Sequence, residues 1–170
     1  MDTKALQKLS YGIYVVSSAL DGKLNGQIAN TVFQVTSEPA KIAICVNKQN
    51  LTHEFIEKSR RFSVSVLSTE APLTFIGKFG FKSGKDTDKF KDTKFETWNF
   101  GIPVVLDHTV SCLEAEIESS CDVGTHTLFV GKITGTKSVS DNEPMTYDWY
   151  HKNLKGKAPK TAPTYNSEKT

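Results

Sequence analysis

The sequence lacks any long apolar run, and its N-terminus, MDTKALQKLSYG, lacks the hydrophobic block of a secretory signal peptide. A membrane-spanning helix needs roughly 20 consecutive apolar residues, so we expect no membrane association and a cytoplasmic location. The chain also lacks a large excess of charge of either sign. Its net charge of only +2 does not indicate a nucleic-acid partner, because proteins that bind nucleic acid usually carry a marked positive charge.

Cysteine is scarce as well, and the three cysteines contain no C-x-x-C pair. They are Cys45, Cys112 and Cys121. The odd number and the spacing argue against a disulfide framework and against a zinc or iron–sulfur site. The histidines show no helical i, i+4 pairing and no carboxylate companion at metal-ligand spacing, so we expect no metal. They are His53, His108, His126 and His151.

Several catalytic and nucleotide-binding motifs are absent. The sequence has no Gly-x-Ser-x-Gly elbow, and Cys121 stands in a turn-like segment without an identifiable base, so nucleophilic hydrolysis has little support. It has no Walker A loop and no Rossmann glycine fingerprint, because Gly77 and Gly80 fit an ordinary helix end. A nicotinamide nucleotide, if one binds, would bind without a Rossmann fold, and the sequence does not separate NADH from NADPH.

What the sequence contains is typical of a globular, mainly β protein. Its 170 residues are 38% apolar and 24% charged, which fits one folded domain. Apolar patterns and turn signals predict strands at 11–18, 27–36, 42–46, 62–66, 103–106, 110–117 and 127–133. Short helices are predicted at 3–9, 52–58 and 71–79. The strand at 62–66 alternates apolar residues with serines, which predicts one buried and one solvent-facing side. The helices are too few for parallel crossovers, so we predict an antiparallel barrel.

The chain is expected to form one domain over residues 1–146, followed by a C-terminal extension over residues 147–170. The extension begins YDWYHKNLKGKAPKTAPTY, which is aromatic at first and then basic and proline-rich. Its composition fits a solvated tail about as well as a segment that packs on the domain or on a partner subunit. The aromatic residues favour packing.

Residues 25–53 are the strongest candidate for a ligand site. In the first strand of this stretch, small or amide side chains stand where a buried strand normally carries valine or isoleucine. The second strand is followed by Asn47-Lys48-Gln49-Asn50 and by a helix that begins near Leu51 or Thr52. Free backbone N–H groups at a helix start, together with a lysine and a hydroxyl, suit a phosphate group.

A second polar cluster lies in the charged loop FKSGKDTDKFKDTKF, which follows Gly80. A loop of this length is functional or mobile, and its lysines and hydroxyl groups could face a phosphate. Each cluster taken alone is more often a solvated turn, but several such clusters, each at a strand or helix end, together favour a ligand site. His126, at the start of a later strand, could be functional or could be a structural histidine at the barrel rim.

Four motifs in this sequence resemble the flavin reductase family, whose members have the FMN-binding split-barrel fold. They are QIANT at 27–31, CVNKQNLTH at 45–53, IGKFGF at 76–81 and CDVGTHTLFVG at 121–131. The likeness extends from residue 4 to residue 164. Within the family, the sequence resembles archaeal-type ferric reductases and the flavin domain of high-molecular-weight rubredoxin, whose ending is similar to residues 155–165. No rubredoxin module is expected, because no paired C-x-x-C follows.

The resemblance implies an antiparallel split β-barrel with Greek-key strands, and a homodimer that holds FMN, or alternatively FAD, in a groove at the subunit interface. Carried over, the residues near the ring or ribityl chain are Gln27, Ala29, Asn30 and Thr31. The residues on the phosphate side are Asn47, Lys48, Asn50, Thr52 and His53. The groove would be closed by Phe79, Phe81, Ser83 and Lys89. The cofactor-binding set also includes Ile28, Cys45 and Val46.

The activity that the resemblance implies is hydride transfer from NADH or NADPH to the flavin, followed by electron transfer to an acceptor. The acceptor could be ferric iron, free flavin, oxygen or a redox protein such as a rubredoxin-like or diiron protein. Cys45 and His126 are the expected catalytic residues beside the ring, with His126 orienting the nicotinamide or stabilising charge. One alternative is an FMN electron-transfer protein that another protein reduces. Another is a non-redox barrel, because one fold can host several functions.

Overall fold

A computed structural model of the protein describes residues 3–6 and 8–165. In chain order, the elements are α1 Thr3–Leu6, β1 Tyr14–Leu20, β2 Lys23–Ala29, β3 Val32–Ser37, β4 Ala40–Asn47, α2 Leu51–Ser59, β5 Arg61–Leu67, α3 Leu73–Gly80, β6 Phe95–Thr97, β7 Pro103–Val105, β8 Thr109–Asp122, β9 His126–Ser138 and α4 Tyr147–Asn153. Within this described part, every helix is too short or too polar to cross a lipid bilayer. The helix predicted at 3–9 includes residue 7, which lies outside the described residues.

Seven strands form one sheet in the order β2-β1-β5-β8-β9-β4-β3. All neighbouring pairs in it are antiparallel, and β6 and β7 form a separate antiparallel pair. β2 and β3 are consecutive in the chain, yet they lie at the two edges of the large sheet. The predicted mainly β, antiparallel barrel is therefore confirmed, and the barrel is split between these two edges.

The sheet curls around one apolar core that is built from six of its strands and from α2. Phe62 of β5, Ile44 of β4 and Phe129 of β9 are among its largest fully buried side chains. Ile56 of α2 is also fully buried and covers one end of the barrel. Burial of each such side chain contributes roughly 1.5 to 3 kcal/mol to the free energy of unfolding, so this core holds the strands that frame the site.

A second apolar cluster lies on the outer face of the sheet and holds α4 against it. Tyr150 and Met145 are buried in this cluster together with Val15 of β1 and Phe79 of α3. Backbone hydrogen bonds secure the approach to α4, because the Ile13 N–H donates to the Met145 carbonyl over 3.0 Å. This packing brings the chain that follows α4 close to the end of α3.

The single strand predicted at 27–36 is wrong, because two strands occupy this stretch. β2 ends at Ala29 and β3 begins at Val32, so Asn30 and Thr31 form a corner between them. β2 pairs with β1 at one edge of the sheet, whereas β3 pairs with β4 at the other. The chain changes from one pairing strand to another at this corner, and the polarity of the neighbouring residues does not predict that change.

The predicted solvent-facing side of β5 is also wrong. Ser63 and Ser65 are fully buried, because the segment that carries β6 and β7 covers this face of the sheet. The Ser63 hydroxyl donates to the Pro103 carbonyl over 2.6 Å, and the Cys112 thiol lies 3.7 Å from the Ser65 hydroxyl. A buried hydroxyl is tolerated when it has a hydrogen-bond partner. The serines that alternate with apolar residues in β5 can therefore be buried.

Candidate functional site

A cavity of about 360 Å³ lies where β2, the end of β4, the start of α2, the end of α3 and the C-terminal segment meet. This volume is in the range of roughly 300 to 1,000 Å³ that small-molecule sites occupy. Its lining comes mainly from residues 25–30, 45–52, 76–89 and 147–163. These four stretches are distant in sequence, so the cavity exists only in the folded chain.

Asn25 and Gly84 form a polar corner of the cavity. The Asn25 amide donates to the Thr52 hydroxyl over 2.9 Å, but its Oδ1 atom has no partner among the described residues, and the side chain is only 2% exposed. A Cβ atom on Gly84 would stand 2.1 Å from that oxygen. A buried polar oxygen without a partner is costly, so this corner suits a ligand that donates a hydrogen bond.

The start of α2 forms the adjacent wall. Asn50 is the N-cap residue with an extended backbone, but its side chain makes no capping bond to the helix. Its amide instead donates to Oε1 of Gln27 on β2 over 3.0 Å. The first-turn N–H groups of a helix have no partner within the helix, and they favour an anion. Asn50 therefore ties α2 to β2 and leaves this helix start available to a ligand.

Lys89 supplies a buried positive charge to the cavity wall. Its side chain is 5% exposed, and its ammonium donates to the carbonyl oxygens of Gly26 and Phe79 over 2.8 and 3.2 Å. Burial lowers the pKa of Lys89 to about 8. A lysine held by carbonyl oxygens remains electrostatically unbalanced when it is protonated, so the cavity favours an anionic or electron-rich ligand.

Cys45 of β4 is half-buried and lines the cavity beside Asn47 and Ala29. Burial raises the pKa of its thiol, so the group is neutral near pH 7. A neutral thiol is a poor nucleophile. Cys45 is therefore suited to van der Waals contact with a ligand and not to covalent chemistry.

Most of the residues predicted from the sequence come together at this cavity. Those that line it are Gln27, Ile28, Ala29, Asn30, Cys45, Asn47, Asn50, Thr52, Phe79, Phe81, Ser83 and Lys89. Phe79 is buried, whereas Phe81 is largely exposed. Of the polar members, Asn50 and Thr52 stand at the start of α2, and a hydrogen bond joins Gln27 to Asn50.

Other predicted residues lie outside this lining. Lys48 points to Asp122, with 2.6 Å between Nζ and Oδ2. His53 is buried, its Nε2 atom lies 2.8 Å from the Thr127 hydroxyl, and burial lowers its pKa. Two more are Val46, which belongs to the barrel core, and Thr31, whose hydroxyl donates to Oδ1 of Asn30.

His126 lies at the start of β9, opposite Asn47 in the β4–β9 pairing. Its Nδ1 atom is 2.8 Å from the Thr125 hydroxyl, and its Nε2 atom is 3.2 Å from the Thr161 carbonyl oxygen. The ring is not itself part of the cavity lining, but it contacts Thr161, which is. No group of three or more histidine, cysteine, aspartate or glutamate side chains in the described part of the chain could hold a metal ion.

The largest part of the cavity that sequence reasoning missed is its C-terminal wall. Residues 157–163 line it, as do Tyr147 and Tyr150 of α4. Asn25, Lys82 and Gly84 also line the cavity, and these three residues were not predicted as site residues either. The ending at 155–165 had been noted for its likeness to relatives, and that likeness was the signal that could have placed these residues in the site.

Comparison with known proteins identifies related sequences and folds. The family model described as flavin reductase like domain matches residues 6–156. The high molecular weight rubredoxin of Moorella thermoacetica is 49% identical over 165 residues, which cover 97% of this chain and 72% of that protein. The ferric-chelate reductase (NAD(P)H) of Archaeoglobus fulgidus is 47% identical over 169 residues, 99% of this chain and all of that protein.

Among solved structures, the NADH:FAD oxidoreductase SgcE6 of Streptomyces globisporus C-1027 has the same fold. The match has a TM-score of 0.76 and 24% sequence identity, and it covers 84% of each chain. The similarity therefore extends over most of the barrel. The C-terminal wall of the cavity, by contrast, follows residue 156, where the family match ends.

Proposed function

This chain belongs to the flavin reductase like domain family, and we propose that it is an FMN-dependent oxidoreductase that takes a hydride from NADH or NADPH and passes electrons to an acceptor. The observation that carries the proposal is the cavity: its open helix start and buried lysine suit an anionic, phosphorylated ligand, and its unpartnered Asn25 oxygen suits a hydroxyl donor such as those of a ribityl chain. The end-to-end similarity to a ferric-chelate reductase of the same length supports this reading.

The chain's own residues would fit FMN, because the cavity lining combines polar side chains such as Asn50 and Lys89 with apolar ones such as Ile28 and Phe81. The start of α2, with Thr52 and the nearby Ser83, would hold the phosphate. Gln27, Asn30 and Cys45 would lie along the ribityl chain and ring. FAD is the alternative cofactor.

When bound, the flavin supplies a ring that accepts a hydride and releases electrons, so the protein needs no nucleophile or general base. The role of the side chains is to orient the ligands and to exclude water. Cys45 is neutral and would provide contact beside the ring. Lys89 would favour negative charge in the cavity through its buried ammonium. For His126 we propose a role at the rim, where it contacts Thr161.

The electron acceptor could be a small molecule or a protein. Ferric iron, free flavin and oxygen are small acceptors that would reach the cavity directly. A protein acceptor such as a rubredoxin-like or diiron protein is supported by the relative that is named as a high molecular weight rubredoxin. The alternative of an electron-transfer protein that another protein reduces is less favoured, because the relative that matches over its whole length is named as an NAD(P)H reductase.

Anaerobic titration of the yellow, FMN-loaded protein with NADH and with NADPH tests the proposal. We expect the visible flavin absorbance to bleach at one equivalent of donor, because the donor would reduce the bound flavin directly. A sample mixed with oxidised nicotinamide nucleotide serves as the control. A flavin that binds but stays oxidised with both donors would favour the electron-transfer alternative, and a protein that binds no flavin would contradict the proposal altogether.

We further propose that the protein acts as a homodimer through β3. This edge strand has unpaired backbone groups on one side, which commonly pair with another chain. Phe33 and Val35 of β3 are 51% and 45% exposed, and the strand starts directly after the cavity corner at Asn30. A second copy on β3 would therefore lie beside the cavity.

Replacing Phe33 with lysine is expected to convert a dimer into monomers, because it places a charge in the apolar centre of the proposed interface. Sedimentation velocity measures the change in mass. Leu73→Lys is the matched control, since Leu73 is similarly exposed, at 45%, on α3. A wild-type protein that sediments as a monomer, or a Phe33→Lys variant that stays dimeric, would contradict the β3 interface.

A further inference from the structure

The chain after α4 is attached to the domain at both ends, and we call residues 157–164 the strap. At its first end, the Gly156 carbonyl lies 2.8 Å from Nδ1 of His151, and the Tyr150 hydroxyl donates to the Lys157 carbonyl over 3.0 Å. A Cβ atom on Gly156 would stand 1.9 Å from the Tyr150 ring. Only glycine therefore allows the chain to lie this close to α4.

At the other end of the strap, Thr164 joins two separate parts of the domain. Its hydroxyl oxygen lies 2.8 Å from the amide nitrogen of Asn30, which donates to it, and 2.8 Å from the Tyr147 hydroxyl. Asn30 is the corner between β2 and β3, and Tyr147 is the first residue of α4. The Thr164 hydroxyl group therefore connects the end of the strap to the corner between β2 and β3 and to the start of α4.

The middle of the strap has a third attachment. The Thr161 carbonyl lies 3.2 Å from Nε2 of His126, and a carbonyl oxygen only accepts, so this ring nitrogen carries the proton. Nδ1 then accepts from the Thr125 hydroxyl, 2.8 Å away. Pro159 and Pro163 restrict the backbone on both sides of Thr161. The strap is thus held at its ends and its centre, and it has little freedom to move between them.

Residues 157–163 of the strap line the same cavity as residues of β2 and α2. The match to the family model ends at residue 156, so the strap is an addition to the matched domain. The similarity to the Archaeoglobus fulgidus ferric-chelate reductase covers 99% of the chain and therefore includes the strap. The strap is therefore shared with this relative, and it lies outside the region that the family model matches.

We infer that the strap retains FMN, so that the flavin is a resident group of this protein and not a substrate that exchanges at every turnover. This inference rests on the proposed function. A ligand between the strap and β2 would be released more slowly, because leaving on that side requires the attachments of the strap to break. Thr164 acts as a positioning residue, because it holds the strap through Asn30 and Tyr147 and is not itself part of the cavity lining.

The test measures the rate at which FMN leaves the full-length protein, followed by the rise in free FMN fluorescence after dilution of the loaded protein. Thr164→Val removes the hydroxyl and both of its hydrogen bonds while it keeps the shape of the side chain. We expect FMN to dissociate about tenfold faster from this variant. Thr164→Ser keeps the hydroxyl and should restore the wild-type rate. Thr74→Val is the matched control, because Thr74 is exposed on α3.

A second substitution acts at the opposite end of the strap. Gly156→Ala should also speed FMN release, because its Cβ atom cannot fit against Tyr150. Gly77→Ala serves as its control, since among the described residues no atom outside the backbone of α3 lies within 4 Å of the Cβ position there. FMN that leaves Thr164→Val and Gly156→Ala at the wild-type rate would overturn the role of the strap alone. A wild-type protein without affinity for FMN would overturn the proposed function, and this inference with it.

Discussion

Replacing Lys89 with methionine is expected to weaken FMN binding by roughly ten- to a hundredfold, because a hydrogen bond to a charged group contributes about 1.5 to 3 kcal/mol. Methionine keeps the length and apolar volume of the lysine stem. An ammonium group has three N–H donors, and among the described residues Gly26 and Phe79 accept two of them. The third donor and the charge are then available to an anionic ligand.

The affinity for FMN should also depend on pH around the pKa of Lys89. Burial lowers this pKa to about 8, so the side chain is charged below pH 8 and neutral above it in the free protein. An anionic ligand prefers the charged form, and we therefore expect affinity to fall as the pH rises through about 8. Fluorescence titrations with FMN on either side of pH 8 measure this change.

The stability of the free protein should change in the opposite direction. The unfolded chain keeps the Lys89 proton up to a pKa of about 10.4, whereas the folded chain loses it near pH 8. Between these two values the unfolded state binds more protons, so the free energy of unfolding should rise with pH in that window. Denaturant titrations of the ligand-free protein measure this trend.

Both pH trends should disappear in Lys89→Met. Lys91→Met is the matched control, because Lys91 lies in the same loop and is exposed, and it should keep the wild-type behaviour. An affinity for FMN that is equal in wild type and Lys89→Met would show that the lysine serves only to join β2 to α3. In that case Lys89→Met would change only the free energy of unfolding and not the affinity for FMN.

Replacing Gly131 with alanine is expected to lower the free energy of unfolding by about 1 to 3 kcal/mol, the usual cost of overpacking a core. The added Cβ atom would stand 2.9 Å from the Phe62 ring and 3.1 Å from both the Ala115 methyl group and the Glu116 carbonyl oxygen. Phe62 is fully buried, and the carbonyl oxygen belongs to the backbone of β8. None of the three can move without disturbing the barrel.

Denaturant unfolding followed by tryptophan fluorescence measures this loss. Gly77→Ala is the control, because Gly77 lies in α3 and, in the part of the chain that the structure describes, the Cβ position meets no atom of another element within 4 Å. There alanine should stabilise the helix by up to about 1 kcal/mol. Adding Phe62→Leu to Gly131→Ala should recover part of the loss through coupling between the two positions. Equal stabilities for Gly131→Ala and wild type would show that the sheet adjusts freely around β9.

Local patterns were sufficient to locate most of the secondary structure. The apolar alternation of β5 and the turn signals around β4 depend on neighbouring residues alone. The start of α2 was also evident, because a helix after Asn47-Lys48-Gln49-Asn50 follows from local propensity and capping. For the same reason, residues 25–53 were recognised as the centre of the site before any contact was known.

Side-chain direction could not be predicted in the same way. Lys48 and His53 stood in the expected phosphate cluster, but Lys48 pairs with Asp122 and His53 lies beside Thr127. Both partners belong to the hairpin of β8 and β9, which is more than 70 residues away in the chain. Residue type and spacing do not contain that pairing.

The sequence by itself determined the class of fold, the position of most strands and helices along the chain, and the polar stretch that forms one wall of the site. Tertiary structure alone decided which of those polar residues face the cavity and what closes it. Asn30 and Thr164 are separated by 134 positions, and their contact requires α4 to dock on β1. The physical reason is that periodicity and capping act over a few residues, whereas burial of a shared core sets which distant segments meet.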